Sequence, residues 1–484
     1  MNSKYIGMLL LVLVMTGCSK WLDVVPKNLV TEEDLFKDGL GYRNALNGVY
    51  KYLGSAQMYG KELTYGSVDV MGQCYVLGEN GMPETSSYAT LMLYQYDKSA
   101  VKSMFESIWK KSYKAIANCN NIINTIDKEP ISKFIGEGEE KNLILGEALA
   151  LRALIHFDML RLFAAAPIEN SSDTYIPYYT TFPDTYEPAR KTSDIIALVE
   201  KDLLRARDLV APFDTLVNSK VNRKEAFLAD KRFRNFGSDI FYGYRGYRMN
   251  YLAICGLLAR VYNYDLKMEK AYTEAMKVID FKTSSGAKAF SFTPADKVAG
   301  NPKLSHDVLF TASDPKLYFN YLKYVTVGKT SEKFILNTNF NELFTDGNDN
   351  RKNTFDTDGG LYWSLKNIQP RVPNDDSELI SDMMPILRLS EMYYIVAEYH
   401  ASKSDFSNAT QALDAVRVGR GCNKGGLIVN DITTFRTELF LEVFKEFFGE
   451  GQRFFYFKKL GMDIQPGMDH KLFIVPIPDS QDIN

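Results

Sequence analysis

Apolar residues recur at steps of three and four along most of this chain of 484 residues. Phe105, Trp109, Ile116 and Ile123 follow that spacing, and so do the apolar residues between 148 and 162. The spacing places apolar side chains on one face of an α-helix, so both segments are predicted to be helical. Further helices are predicted at about 31–53, 193–210, 248–264, 268–281, 386–402, 406–418 and 433–448.

Successive helices joined by short turns are typical of stacked helical hairpins of the tetratricopeptide kind. We therefore predict a mainly-α fold in which about 31–281 and 386–460 form one helical scaffold. Residues 282–385 are rich in Asp, Asn, Gly and Pro. They are predicted to form an irregular, loop-rich insert that packs on the scaffold. After residue 17 the chain is expected to form a single domain, 18–484.

Two irregular regions carry the candidate ligand-binding residues: an N-terminal irregular region (54–100) and the insert (282–385). Long irregular segments on a rigid scaffold are common binding surfaces. Tyr and Trp offer flat faces that stack on sugar rings or hold peptides. We expect Trp363 to stay partly exposed on the same face as tyrosines of 54–100, whereas Trp109 is expected to be a core residue. The candidates are Tyr75, Tyr88, Tyr94, Tyr96, Tyr318, Tyr321, Tyr362 and Trp363.

The first 18 residues are typical of an export signal that ends in a lipidation site. A lysine near the start precedes an apolar run over 6–15, and Thr16, Gly17 and Cys18 follow. This order describes a secretory signal, predicted here as residues 1–17. The cysteine directly after it resembles a bacterial lipobox, so Cys18 is predicted to carry acyl chains such as palmitate and to hold the protein at a membrane surface. The alternative is an ordinary cleaved signal in which Cys18 is incidental.

Composition and motifs argue against several classes of function. The formal net charge is −3, with 57 basic and 60 acidic residues, so no basic excess exists for contacts with nucleic-acid phosphates. The cysteines after Cys18 are widely scattered and form no CxxC pair, and the four histidines form no HExxH motif. No GxSxG, GxGxxG or Walker motif is present. The sequence therefore predicts no metal centre, no cofactor and no catalytic residue.

Glu391 and Glu398 are the strongest candidates for a catalytic carboxylate pair. Seven helical residues separate their backbones by about 10.5 Å, whereas glycosidase carboxyl groups lie roughly 5 to 9.5 Å apart. We predict a structural role for both, in ion pairs with arginines such as Arg388 or Arg417. The same structural role is predicted for the pairs Glu147–Arg152 and Glu450–Arg453.

The segment 346–350 begins like a calcium-binding loop, with oxygen-bearing side chains at alternate positions. Arg351 occupies the position where such a loop needs glycine, and no glutamate closes the loop. A turn rich in Asn and Gly is therefore the preferred interpretation.

Several segments together resemble the SusD/RagB family of outer-membrane nutrient-binding lipoproteins of Bacteroidetes. They occur in the family's order along nearly the whole chain after Cys18. The sequence departs from the family pattern at Val443 and Tyr456, which affects the ion pairing expected for the last helix. The matching segments are Ser19–Pro26; Trp109, Tyr113, Ile116 and Asn120; Gly146–Ala148 and Leu151–Ala153; Arg388, Glu391, Ala397 and Glu398; Val416 and Arg417; Glu446 and Glu450–Phe455; and Pro476–Pro478.

This resemblance implies a scaffold of four tetratricopeptide-like helix pairs and a role at the cell surface. It implies a non-catalytic lipoprotein that binds a glycan or a peptide and delivers it to a SusC-like, TonB-dependent transporter in the outer membrane. Two alternatives stay open. One is a secreted glycosidase or peptidase with an unmarked carboxylate pair, and the other is an adaptor or structural helical-repeat protein without a small ligand.

Overall fold

The structure is a computed structural model that describes residues 31–78, 80–217, 223–228, 239–325, 332–368 and 377–479. The predicted signal segment 1–17 and the predicted lipidation site Cys18 lie outside the described residues. None of the helices in these ranges is both long enough and apolar enough to cross a membrane.

Helices dominate the described part of the chain, as predicted. The first eight are α1 (Glu32–Leu35), α2 (Gly39–Leu53), α3 (Ser67–Met71), α4 (Ser87–Met92), α5 (Ser99–Ile126), α6 (Glu137–Phe163), α7 (Thr192–Asp214) and α8 (Tyr251–Tyr264). The others are α9 (Met268–Ile279), α10 (Leu317–Leu322), α11 (Phe340–Leu343), α12 (Ser377–Ile380), α13 (Leu389–Ser402), α14 (Phe406–Gly419), α15 (Ile432–Phe447) and α16 (Arg453–Leu460).

The helices α5 and α6 form the centre of the scaffold. On α5 the apolar residues at steps of three and four are buried, and Trp109 is only 2% exposed, with its ring 5.0 Å from that of Phe163. On α6 every residue of 143–163 is buried. A helix that is buried on all sides must lie in the interior of the domain. The prediction that Trp109 belongs to the core is confirmed.

One predicted helix is two helices. The pattern over 31–53 predicts one helix, but α1 ends at Leu35 and α2 begins at Gly39. The Asp38 carboxylate accepts a hydrogen bond from Gly41 N at 3.0 Å and caps α2. A Cβ at Gly41 would lie 1.5 Å from the Leu35 carbonyl oxygen, so the glycine permits the two helices to approach at this corner.

Each long helix packs on the next one along the chain. The contacts run from α5 to α6, α7, α8 and α9, and then from α13 to α14, α15 and α16. Helix α9 packs directly on α13, so the scaffold continues although about a hundred residues intervene in sequence. This is the predicted stacked-hairpin architecture of a mainly-α fold.

Short strands organise the insert between α9 and α13. Strand β3 (Val308–Ser313) pairs antiparallel with β6 (Met383–Arg388), and β6 leads directly into α13. Between them, β4 (Phe355–Asp358) and β5 (Leu361–Ser364) form a hairpin. A third antiparallel pair, β1 (Thr174–Ile176) with β2 (Arg190–Lys191), lies outside the insert. The insert therefore leaves the scaffold and returns to it at one two-stranded sheet.

The predicted structural role of Glu391 and Glu398 is correct, but their predicted partners are wrong. The Glu391 carboxylate accepts hydrogen bonds from Arg260 Nε and Nη2, at 2.7 and 2.6 Å. Glu398 Oε1 accepts from Lys459 Nζ at 2.8 Å. Arg388 and Arg417 are not bonded to either carboxylate. Each glutamate of α13 is paired with a cation on another helix, so the ion pairs hold the helices together. Neither carboxylate is left free for acid–base chemistry.

The predicted pair Glu147–Arg152 does not form. Residues five apart on a helix point about 140° away from each other, so these side chains face different neighbours. Glu147 pairs with Arg245, and with Arg248 at 3.0 Å. The Arg152 guanidinium binds both oxygens of Asp202, at 2.7 and 2.8 Å.

Glu450 and Arg453 do not pair with each other either. Gly449 and Gly451 have φ values of +84° and +70°, and the turn they form directs Glu450 into the core. There the Arg388 guanidinium binds both of its carboxylate oxygens, at 2.6 and 2.7 Å. Arg453 instead donates to backbone carbonyls of 72–73. In each case a partner distant in sequence replaces the local one.

Candidate functional site

The two irregular regions meet, and backbone hydrogen bonds join them. Val76 N donates to the Ile335 carbonyl at 2.9 Å, and Leu336 N donates to the Tyr362 carbonyl at 2.8 Å. The segment around 335 therefore lies between the N-terminal irregular region and the β4–β5 hairpin. Bonds of this kind fix the three segments relative to one another.

A surface cleft of about 420 Å³ lies where these segments meet. We call it the Tyr362 cleft. Its volume is within the range of small-molecule sites, about 300 to 1,000 Å³. The lining residues are Val76, Ile335, Leu336, Thr338, Asn339, Phe340, Asn341, Gly360, Leu361 and Tyr362.

Two aromatic rings stack in the cleft. The rings of Phe340 and Tyr362 are 4.0 Å apart between centroids and only 5° from parallel. Both side chains are half-buried. Because one ring covers one face of the other, the pair forms a rigid flat surface that can pack against a ligand ring.

Local sequence explains how both rings are held. Gly359 and Gly360 have φ values of +57° and +83°, which suit the two-residue turn that closes the β4–β5 hairpin. The Asn339 side chain accepts from Asn341 N at 3.0 Å and caps α11, so Phe340 is placed at the first position of that short helix.

The polar groups of the cleft are neutral. Thr338, Asn339 and Asn341 are exposed, and their hydroxyl and amide groups lie around the aromatic pair. Among the described residues that line the cleft there is no Asp, Glu, Lys, Arg or His. The wall can therefore form hydrogen bonds with hydroxyl groups of a ligand, but it offers no ion-pair partner for a charged group.

Further aromatic rings support the cleft from within. Tyr75 stacks on Phe334 with ring centroids 4.5 Å apart, and Tyr324 stacks on Phe334 at 4.4 Å. Tyr75 and Phe334 each precede a residue that lines the cleft. Burial, together with the nearby Asp69 carboxylate, raises the pKa of Tyr75 well above its ordinary value, so the hydroxyl stays protonated and donates to the Tyr65 carbonyl at 2.8 Å.

Tyr362 and Trp363 do not form one platform, and the prediction that Trp363 is partly exposed is wrong. Neighbouring residues of a strand point to opposite faces. Tyr362 faces the cleft, whereas Trp363 is only 8% exposed and belongs to the hydrophobic core. Only one of the two adjacent aromatic side chains can therefore face a ligand in this structure.

Five other candidate tyrosines are buried, and their hydroxyls bind protein groups. Their burial removes the ring faces that a ligand would need, so their predicted ligand contacts have no support in this geometry. The acceptors are the Tyr65 carbonyl for Tyr75, the Glu62 carboxylate for Tyr88, the Met71 carbonyl for Tyr94, the Leu472 carbonyl for Tyr96 and the Ser364 carbonyl for Tyr321.

The last candidate, Tyr318, is half-buried on α10 and is not part of the cleft lining. Its neighbour Phe319, which the sequence analysis passed over, is 65% exposed. Phe340, Thr338 and Asn341 were also missed. A signal for them exists, since the segment 337–341 places amide and hydroxyl side chains on both sides of one aromatic residue.

The acidic residues of the segment 346–350 bind backbone and arginine groups. Asp346 accepts hydrogen bonds from Asn348 N at 2.9 Å and from Asn423 N at 2.8 Å. Asp349 binds the Arg351 guanidinium. These contacts support the interpretation of the segment as a turn.

A second open cleft, of about 580 Å³, lies between 165–175 and 469–474. Its lining includes Tyr175 and His470, and also the carboxylates of Glu169 and Asp173. The part of the chain that the structure describes places no stacked aromatic pair in this lining. It therefore fits a flat neutral ligand less well than the Tyr362 cleft does.

Sequence models of two protein families match the chain. The model described as "SusD family" matches residues 272–458, and the model described as "Starch-binding associating with outer membrane" matches residues 20–229. No curated protein matches the chain.

Solved structures of similar fold cover most of the chain. A SusD-like carbohydrate binding protein from Bacteroides vulgatus ATCC 8482 is 21% identical, with a TM-score of 0.65 over 88% of this chain and 84% of that one. A SusD superfamily protein from Bacteroides thetaiotaomicron VPI-5482 is 21% identical, with a TM-score of 0.66 over 90% and 92% of the two chains. A putative sugar binding protein from Bacteroides vulgatus ATCC 8482 is 21% identical, with a TM-score of 0.67 over 90% of each chain.

Proposed function

Because the chain belongs to the SusD/RagB family, we propose that it is a carbohydrate-binding protein of the outer membrane and that the Tyr362 cleft is its ligand site. The observation that carries this proposal is the parallel stack of Phe340 and Tyr362 in an open cleft with neutral polar walls. The apolar face of a sugar ring packs on such a surface, and its hydroxyl groups meet amide and hydroxyl side chains at the edge.

The preferred ligand is a neutral glycan. A uronic acid or a charged peptide would bring a charge into a cleft where the lining residues that the structure describes supply no opposite charge. Desolvating an unpaired charge costs free energy, whereas neutral hydroxyl groups are matched by Thr338 and Asn341. A peptide remains the second ligand class to be tested, since backbone amides also suit these groups.

The role is binding without catalysis. The carboxylates that most resembled a catalytic pair, Glu391 and Glu398, are buried and held by Arg260 and Lys459. None of the described residues that line the Tyr362 cleft carries a carboxylate. A hydrolase would need a general acid or a nucleophile beside the bound sugar.

The protein acts at the outer surface of the cell, held by acyl chains on Cys18, and delivers its ligand to a SusC-like, TonB-dependent transporter. This part of the proposal rests on the segment that resembles a lipobox and on family membership. It is tested by isolating the tagged full-length protein from outer membranes. Co-purification of a TonB-dependent transporter is expected, and its absence under conditions that preserve membrane complexes contradicts the delivery role.

The ligand site is tested by calorimetric titration of the purified protein with neutral oligosaccharides, acidic oligosaccharides and short peptides. The variant Tyr362→Ala removes one ring of the stack and should weaken binding of the neutral glycan by about twofold to tenfold. Tyr175→Ala is the matched control, because it removes a half-buried tyrosine from the other cleft.

The control should bind like the wild type. If Tyr175→Ala weakens binding and Tyr362→Ala does not, the site is the second cleft and the assignment is wrong. If acidic oligosaccharides or peptides bind more tightly than neutral glycans, the argument from the neutral walls fails. Hydrolysis of the bound glycan by the purified protein contradicts the non-catalytic role.

A further inference from the structure

A small cavity of about 20 Å³, lined by buried side chains, lies where α6, α8, α13 and α16 converge. It is separate from both surface clefts. The side chains that matter for its chemistry are those of Arg161, Arg260, Asn263, Tyr264, Tyr456 and Lys459. All of them except Arg161 and Lys459 carry a buried polar atom that has no hydrogen-bond partner among the described residues.

Four such atoms belong to the lining of this one cavity. They are Arg260 Nη1, Asn263 Oδ1, the Tyr264 hydroxyl and the Tyr456 hydroxyl. The four residues are at most 5% exposed. A buried polar atom without a partner costs roughly 1 to 3 kcal/mol, and such atoms are rare in native proteins. Four of them around one cavity indicate that they share a partner inside it.

The other hydrogen bonds of these residues determine which of their polar atoms is available to a partner in the cavity. Asn263 Nδ2 donates to Glu398 Oε1 at 3.0 Å, so its amide orientation is set and Oδ1 remains as an acceptor. Arg260 uses Nε and Nη2 on the Glu391 carboxylate, so Nη1 remains as a donor. The cavity therefore presents one fixed donor, one fixed acceptor and two hydroxyl groups that serve either way.

The two hydroxyl groups stay protonated. Burial raises the pKa of Tyr264 and of Tyr456 above the ordinary value, and the carboxylates of Glu391 and Glu398 raise that of Tyr456 further. Each phenol therefore keeps one proton to donate and a lone pair to accept with.

The charges around the cavity are balanced. Arg260 pairs with Glu391, Lys459 pairs with Glu398, and Arg161 pairs with Asp158. An anion in the cavity would face the Asn263 Oδ1 acceptor, and a cation would face the Arg260 guanidinium. The occupant should thus be neutral, small, and able both to donate and to accept.

We propose that the cavity binds an ordered water molecule that accepts from Arg260 Nη1, donates to Asn263 Oδ1 and bridges the hydroxyls of Tyr264 and Tyr456. A water needs roughly 10 to 15 Å³ and two to four polar partners, and the cavity supplies both. The water ties α8 to α16, because its partners lie on these two helices. Removing one tyrosine hydroxyl therefore weakens the hydrogen bond between the water and the other hydroxyl, although no hydrogen bond joins the two tyrosines directly.

The direct test is a high-resolution crystal structure of the full chain. It should reveal one solvent peak about 2.7 to 3.2 Å from these four atoms. If the side chains instead bond to one another and leave no peak, the proposal is wrong. Crystals soaked in bromide test for an anion, and an anomalous peak in the cavity would overturn the assignment to water.

A double-mutant cycle tests the coupling in solution. Tyr264→Phe and Tyr456→Phe should each lower the folding equilibrium constant by about threefold to tenfold. In the double variant the folding equilibrium constant should fall by less than the product of the two single-variant factors, because both hydroxyls depend on the same water. The matched control combines Tyr264→Phe with Tyr96→Phe, whose hydroxyl donates to the Leu472 carbonyl outside the cavity. In this control pair the two fold-decreases of the folding equilibrium constant should multiply. If the Tyr264–Tyr456 pair also shows simple multiplication, the shared water is refuted.

Discussion

The buried imidazole of His156 should make the protein progressively less stable as the pH is lowered below 6.5. His156 lies on α6 and is fully buried. Its Nδ1 is 3.0 Å from the Arg152 carbonyl, and Nε2 accepts from Tyr179 N at 3.1 Å. Its ring also stacks on that of Tyr178, with centroids 3.8 Å apart. Since Nε2 already accepts a hydrogen bond from an N–H group, no proton can be added there without breaking that bond.

The magnitude follows from the pKa. Burial, and then the nearby Arg152 charge, lower the pKa of His156 from 6.5 to about 3. Between these two values the unfolded chain binds a proton that the folded chain does not bind. The contribution to stability is therefore complete above pH 6.5 and is lost as the pH falls toward 3, by about 1.4 kcal/mol per pH unit. At pH 5 the loss amounts to about 2 kcal/mol.

The assay is urea unfolding of the wild type and of His156→Gln at pH 7 and at pH 5. For each protein, the change in the free energy of unfolding between pH 7 and pH 5 cancels any pH-independent effect of the substitution. Comparing this change between wild type and variant cancels the contribution of the other titrating groups. We expect the wild type to lose about 2 kcal/mol more than the variant on acidification. If both proteins lose the same amount, His156 is not held neutral by the fold and the reasoning is refuted.

Three further outcomes test the fold and the anchor. Trp109→Ala should lower the free energy of unfolding by about 3 to 5 kcal/mol in urea titrations, because it empties a buried site between aromatic rings, and an unchanged midpoint would contradict its core position. Trp363→Ala should lower thermal stability by a similar amount, about 3 kcal/mol, while glycan affinity per folded molecule stays the same; a loss of affinity at constant stability would restore the surface role predicted from sequence. Cys18→Ala should move the protein out of the membrane fraction in cell fractionation, since several acyl chains are needed for stable attachment, and normal retention would refute lipidation at this residue.

Most of the scaffold was predictable because helical periodicity is a local property. The spacing around Trp109 predicts α5, and the apolar residues between 148 and 162 predict the C-terminal part of α6, with no knowledge of the neighbours. The break between α1 and α2 was not predictable in this way. It depends on the close approach of Gly41 to the Leu35 carbonyl, which exists only once the corner has formed.

The candidate site was predictable only as a pair of regions. The composition of 54–100 and of the insert marked both regions as irregular and rich in aromatics, and the structure brings them together at the Tyr362 cleft. Which aromatic residues face outward was not predictable, since a loop aromatic and a core aromatic look alike in sequence. Tyr362 and Trp363 are adjacent, yet the pleat of β5 sends one to the cleft and the other to the core.

The sequence by itself determined the helical scaffold, the order of its helices and the family to which the chain belongs, because these depend on residue spacing and on motifs read in order. The tertiary structure alone decided the ion-pair partners and the burial of each aromatic ring. Glu147 meets Arg245 across 98 residues of sequence, and Glu391 meets Arg260 across 131. Such partners are chosen by the packing of whole helices, since a buried charge must be matched by whichever cation the fold places within reach.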